Sequence, residues 1–117
     1  MENLKIEMKK RIYTWTLRLV KFIDILPKDT SSQIIAKQLL RSGTSIGANY
    51  IEAQAASSKR DFINFIHYSL KSANESKFWL GILRDAKEVK EDNLLAELNE
   101  IANILGASLL TLKGKRE

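Results

Sequence analysis

The sequence predicts an all-α fold, an antiparallel up-down-up-down four-helix bundle, and three observations lead to it. Apolar residues recur every three or four positions through four long stretches. One proline and five glycines in 117 residues leave few of the breaks that a multi-stranded sheet requires. The connections between the periodic stretches are short, so successive helices are expected to lie side by side. With 44% hydrophobic and 28% charged residues, the chain is expected to form a single domain over residues 1–117 with its own core.

The first helix is expected over about residues 3–26. Leu4, Met8, Ile12, Trp15, Leu19, Phe22 and Leu26 follow one face. Ile6, Tyr13, Leu17 and Val20 make a second apolar stripe almost opposite, which points to a contact with another subunit. Lys10, Thr14, Arg18 and Lys21 form a polar flank between them. Pro27 ends the helix, because its ring clashes with a preceding turn and restricts the residue before it.

The second helix is expected over 31–56, started by a capping box of Thr30 and Gln33. Its inward face reads Ile35, Leu39, Ser42, Ile46, Asn49, Ala53 and Ala56. Leu40, Thr44, Gly47 and Ile51 make an opposite stripe of apolar and small residues. Gly43 and Gly47 each weaken a helix by about 1 kcal/mol relative to alanine, which close approach of a neighbouring helix would offset. A phosphate loop is excluded here, since no strand precedes the glycines and no G-K-[ST] follows them.

The third helix is expected over 59–86, capped by Ser58. Phe62, Phe65, Ile66, Ser69, Ser72, Ala73, Ser76, Trp79, Leu80 and Leu83 fall within an arc of about 140° at 100° per residue. Its serines mirror the small residues of the second helix. Phe78 and Ile82 lie outside the arc and are further candidates for an intersubunit surface. The fourth helix is expected over 92–112, with a seam of Leu94, Leu98, Ile101, Ala102, Leu105, Leu109 and Leu112.

If the chain turns at Ser57–Ser58, facing residue numbers on the second and third helices sum to about 115. That sets Arg41 opposite Glu75 as an interhelical ion pair, with Asn49 and Glu52 as further polar contacts fixing register. No catalytic constellation, cofactor site or metal site is expected. His67 is the single histidine, no cysteine is present, and the Glu-x-x-His motifs of di-iron bundles are missing. The early charged residues leave no apolar leader, and no stretch approaches the roughly 20 apolar residues of a membrane span, so a cytoplasmic protein without membrane contact is expected.

The formal net charge of +5 is unevenly distributed. Residues 1–29 hold seven basic against four acidic groups, and residues 59–87 hold six against three. Residues 88–117 hold four against six. The basic segments could attract polyanions, or pair with the acidic fourth segment of a neighbouring subunit.

The segment Gln38–Ala53, Q-L-L-R-S-G-T-S-I-G-A-N-Y-I-E-A, resembles the central motif of the four helix bundle proteins related to the intervening-sequence proteins. Those proteins are encoded within insertions in bacterial large-subunit ribosomal RNA genes. Ser58-Lys59-Arg60-Asp61-Phe62 and the stretch Glu75–Leu80, E-S-K-F-W-L, extend the resemblance over nearly the whole chain. It implies an antiparallel bundle assembling into a ring, commonly a homopentamer. The family is also similar to the accessory variability determinant of diversity-generating retroelements, a basic pentameric bundle that binds nucleic acid and partners a reverse transcriptase. Two functional readings follow. One is a non-enzymatic homo-oligomer binding RNA or DNA through Lys10, Arg18, Lys21, Lys59, Arg60 and Lys71. The other is a scaffold or adaptor for a protein partner with no nucleic-acid ligand.

Overall fold

The computed structural model describes residues 2–89 and 91–114, with side chains from residue 7 onward, and has four helices and no strand among them. They are α1 (Glu2–Asp24), α2 (Thr30–Gln54), α3 (Lys59–Lys87) and α4 (Asp92–Leu112), packed into a body of 45 × 24 × 21 Å. Among the described residues, no helix is long and apolar enough to cross a membrane.

The helix ends differ from expectation where local chemistry offers several choices. α1 stops at Asp24 rather than Leu26. Approaching Pro27, the backbone tightens, with Ile25 N donating to Phe22 O and Leu26 N to Ile23 O, both at 3.2 Å. Leu26 nevertheless stays buried and closes that end of the core. The expected Thr30–Gln33 capping box does not form. Asp29 is the cap: its carboxylate accepts from Ser32 N at 3.3 Å, and the Gln33 amide donates instead to Pro27 O at 2.8 Å. A carboxylate carries more charge toward the helix N-terminus than a hydroxyl, so aspartate displaces threonine. Asp29 also receives Lys87 Nζ at 2.8 Å, which ties the start of α2 to the end of α3. α2 ends at Gln54, two residues short of Ala56. α3 begins as the sequence predicts, with Ser58 Oγ accepting from Asp61 N at 3.1 Å.

The helices form a cycle of neighbours, α1 beside α2 and α4, α3 beside α2 and α4, which leaves α1 and α3 diagonal. The core runs down the middle through Trp15, Leu19, Leu39, Ile46, Leu83, Leu94, Leu98 and Leu105, all essentially excluded from solvent. α2 and α3 make the most extensive contact, and small residues permit it. Ser42 Oγ and Ser76 Oγ share a hydrogen bond at 2.8 Å, and Ser69 Oγ donates to Ile46 O at 2.8 Å. All three serines are fully buried, so each hydroxyl depends on a protein partner.

The two glycines serve the other side of α2. A Cβ placed on Gly43 would drive into Leu19 Cδ2 and meet Trp15 Cη2 at 3.4 Å, while one on Gly47 would meet Ile12 Cγ2 at 3.1 Å. Gly43 and Gly47 therefore bring α1 close, and the serines bring α3 close. α1 and α4 have the lightest contact of the four seams. It is fastened by Trp15 Nε1 donating to Leu94 O at 2.8 Å in the buried layer.

Candidate nucleic-acid interface

α3 turns Ile66, Ser69, Ala73, Ser76, Leu80 and Leu83 inward. At 100° per residue the direction opposite that line is taken by Arg60, Asn64, His67, Lys71, Asn74 and Phe78. All six are exposed. Between Asp61 and Glu75 the helix carries no acidic residue. Among the described residues Lys59, Arg60, Lys71 and Lys77 enter no ion pair. Glu75 is engaged on the flank toward α2, paired with Arg41 and accepting from Trp79 Nε1 at 3.0 Å. Asp85 is held by Arg84 at 2.7 Å, which keeps its carboxyl below the ordinary carboxylate range. The outward surface of α3 therefore offers cations whose charge is not taken up within the chain.

The basic side of α1 is different. Arg11 lies against α4 with Nε and Nη2 each 2.8 Å from a different oxygen of Glu97, and Nη2 is 3.5 Å from Glu100. Arg18 Nη2 donates to Glu91 at 2.6 Å. The acidic fourth segment thus pairs within its own chain. Arg18, expected to be free for phosphate, has its guanidinium engaged. Lys10 is exposed, but shares a groove of about 600 Å³ with Glu97 and Glu100. Lys21 is exposed near the end of α1. Of the six expected cations, Lys59, Arg60 and Lys71 are on α3, with Arg60 and Lys71 on its outward line, and Lys10, Arg18 and Lys21 are on the diagonal helix. Lys77, on the α4 flank of α3, was not among the sequence candidates, although its spacing from Lys59 and Lys71 was readable.

The Arg11 clasp gives a pH dependence. The hydrogen bonds from Arg11 hold the Glu97 carboxyl below its ordinary value, and Glu97 in turn raises the Arg11 guanidinium further above neutrality. A depressed folded-state carboxylate stabilises the fold above its unfolded value of 4.5 and loses that contribution as pH falls through the lower folded value. Thermal melting of the wild type should therefore soften below about pH 4.5, and Glu97→Gln should soften less over the same interval. Equal pH slopes for the two proteins would count against the clasp.

The expected interhelical polar contacts divide. Arg41 and Glu75 do form an ion pair across α2 and α3, and Arg41 also donates to Gln38 Oε1 at 3.2 Å. Asn49 does not cross between helices: its Nδ2 donates to Ser45 O, one turn back in α2, at 2.9 Å. Glu52 is exposed and makes no interhelical hydrogen bond or ion pair among the described residues; the residue that faces it, by numbers summing to about 115, is the apolar Ile63. His67 is exposed, and no three His, Cys, Asp or Glu among the described residues gather to hold a metal ion.

The second apolar stripe of α1 is on the surface: Tyr13 is 65% exposed, Leu17 48% and Val20 40%. α2 continues it with exposed Leu40, Thr44, Ala48 and Ile51. A shallow groove of about 210 Å³ runs between the two helices past Tyr13, Thr16, Gly47 and Ile51. Ile6, expected in the same stripe, has a side chain outside the described residues. Phe78 and Ile82 lie elsewhere, on α3, with Phe78 exposed and Ile82 half-buried. A contact through the α1–α2 face would not cover them. The apolar face thus belongs to α1 and α2, and the cationic face to α3, diagonal to α1 and beside α2.

The model of the 23S rRNA-intervening sequence protein family matches residues 4–107. The fold is similar to the crystal structure, at 1.70 Å resolution, of a protein with unknown function from the S23 ribosomal protein family of Bacteroides thetaiotaomicron. The TM-score is 0.82 at 32% sequence identity, covering 90% of this chain and 96% of the other. Among curated proteins none matches.

Proposed function

Because this chain belongs to the 23S rRNA-intervening sequence protein family, we propose that it is a non-enzymatic, homo-oligomeric four-helix bundle that binds RNA through the outward face of α3. The observation that carries the reading is the two unpaired cations on that face, Arg60 and Lys71, with Lys59 at the helix start and no carboxylate between Asp61 and Glu75. Such a face attracts a polyphosphate chain by releasing its counterions and reads no base sequence. The bundle is taken as antiparallel, up-down-up-down, since partners of α2 fall in number along α3, Ser42 to Ser76 and Ile46 to Ser69. Assembly is assigned to the apolar face of α1 and α2, with copies closing into a ring such as a pentamer. Closing a ring takes two different surfaces on each copy; the α1–α2 face is assigned as one of the two, and the outward face of α3 is kept for binding.

The test is titration of the full chain into a fluorescently labelled RNA at several salt concentrations. The wild type should bind at micromolar protein or better, with affinity falling steeply as salt rises. The double variant Arg60→Glu, Lys71→Glu should bind about tenfold more weakly or worse, and each lost phosphate contact should lower the salt slope by about 0.7 for a single strand. Lys10→Glu should have the smaller effect, since Glu97 and Glu100 already line its groove. Absence of any salt-dependent shift would refute the reading.

A further inference from the structure

The exposed aromatic rings of α3 stand among its cations. Tyr68 is 48% exposed and Phe78 is 59% exposed, large apolar surfaces to leave in water. Each is braced edge-on by a half-buried ring. Phe65 meets Tyr68 at a centroid distance of 6.0 Å and 83°, and Trp79 meets Phe78 at 5.0 Å and 70°. The bracing fixes a ring's orientation and leaves its outer surface open, an arrangement suited to stacking. Trp79 is itself oriented by its hydrogen bond to Glu75.

Ten residues separate Tyr68 from Phe78, about 15 Å along a helix axis. Lys71 lies between them in sequence, and all three fall within an arc of about 80° at 100° per residue. Arg60 extends the same line toward the start of the helix. Asn64, His67 and Asn74 supply exposed hydrogen-bonding groups between the charges.

Resting on the RNA-binding reading above, we infer that α3 selects unpaired nucleic acid, with bases stacking on Tyr68 and Phe78 while Lys71 and Arg60 neutralise the phosphates between and beside them. Bases in a duplex are stacked on one another and present edges. Only a single strand, loop or bulge can lay a base flat on an outward-facing ring. Stacking of this kind is tolerant of sequence, because every base has a π-face. The charge pattern favours this occupant over a protein: an exposed aromatic pair would serve a protein partner equally well, but unpaired cations flanking it match a polyphosphate chain.

The experiment compares the full chain on a labelled 20-nucleotide poly(U) and on a labelled 20-base-pair RNA duplex at one salt concentration, then repeats the poly(U) titration across salt. The wild type should prefer poly(U) by about tenfold or more. Tyr68→Ala with Phe78→Ala should lose at least about tenfold on poly(U) and leave the salt slope unchanged, because no phosphate contact is removed. Tyr68→Phe should retain binding, since the ring is kept. Circular dichroism of each variant establishes that the helices are intact. Equal affinity for duplex and poly(U), or an alanine pair that binds poly(U) as the wild type does, would overturn the inference while salt-dependent binding still upheld the reading beneath it. Binding of neither RNA would remove both. So would a protein partner that survives nuclease treatment and depends on Tyr68 and Phe78 in a chain that shifts no RNA.

Discussion

Gly43→Val should destabilise the protein by about 2–4 kcal/mol, whereas Gly47→Ala should change stability by less than about 1 kcal/mol. Both glycines are on the side of α2 that meets α1, and both would gain helix propensity on substitution. What separates them is the room each has. Gly43 is buried against Leu19 and Trp15, which are 0% and 1% exposed. Leu19 has no solvent to retreat into, and Trp15 is anchored by its hydrogen bond to Leu94 O. Two extra branches at Gly43 must therefore either force core side chains off their rotamers or push α1 outward along its length. Against a typical total of about 5–15 kcal/mol, that loss is large. Gly47 is only half-buried, and its single close neighbour is the Cγ2 methyl of Ile12 at 3.1 Å, which need give by only a few tenths of an ångström. Urea unfolding at fixed protein concentration measures both, the fixed concentration being needed because assembly would add to apparent stability. A Gly43→Val protein as stable as the wild type would show that the α1–α2 seam is looser than described.

The contrast also marks where sequence reasoning reaches its limit. The glycines and serines of α2 announce close packing, but cannot say which neighbour each approaches. The structure divides them, with Gly43 and Gly47 toward α1 and Ser42 toward α3. The Arg41–Glu75 pair was legible because a short turn fixes the register of adjacent helices, so counting from Ser57–Ser58 suffices. The pairs Arg11–Glu97 and Arg18–Glu91 were not legible, being 86 and 73 residues apart in sequence. They exist only once α4 closes the cycle against α1, and no local count sets that register. This hidden pairing is also why six cations looked equivalent in the sequence. Their difference lies in the carboxylates that face them, not in their own spacing. Asn49 and Glu52 misled for a related reason: neighbours on a helical wheel say nothing of a side chain that bonds back to its own helix or is faced by an apolar residue.

Leu17→Asp should abolish self-association and leave the helical content of the chain unchanged. In the isolated chain Leu17 points away from the core and is 48% exposed, so a carboxylate there is solvated and alters folding stability by about 0.5 kcal/mol or less. Within an interface formed by Tyr13, Leu17, Val20, Leu40 and Ile51 the same carboxylate would be stripped of water among apolar groups, a cost of several kcal/mol per buried charge. A closed ring repeats the penalty at each interface, so assembly should fail outright rather than weaken gradually. Solution mass should drop from a multiple of the chain mass to a single copy, with the helical circular dichroism spectrum retained. Phe78→Asp, on the diagonal helix, should leave the mass as it was. The monomeric variant then separates avidity from contact. Several α3 faces on one ring raise the effective concentration of each for a long RNA, whereas an RNA short enough to occupy one face gains nothing from its neighbours. Leu17→Asp should therefore lose affinity for long RNA by about tenfold or more and keep its affinity for a short strand. A variant of unchanged mass would remove the α1–α2 face from the assembly, and one that lost short and long RNA alike would place α1 within the binding surface itself.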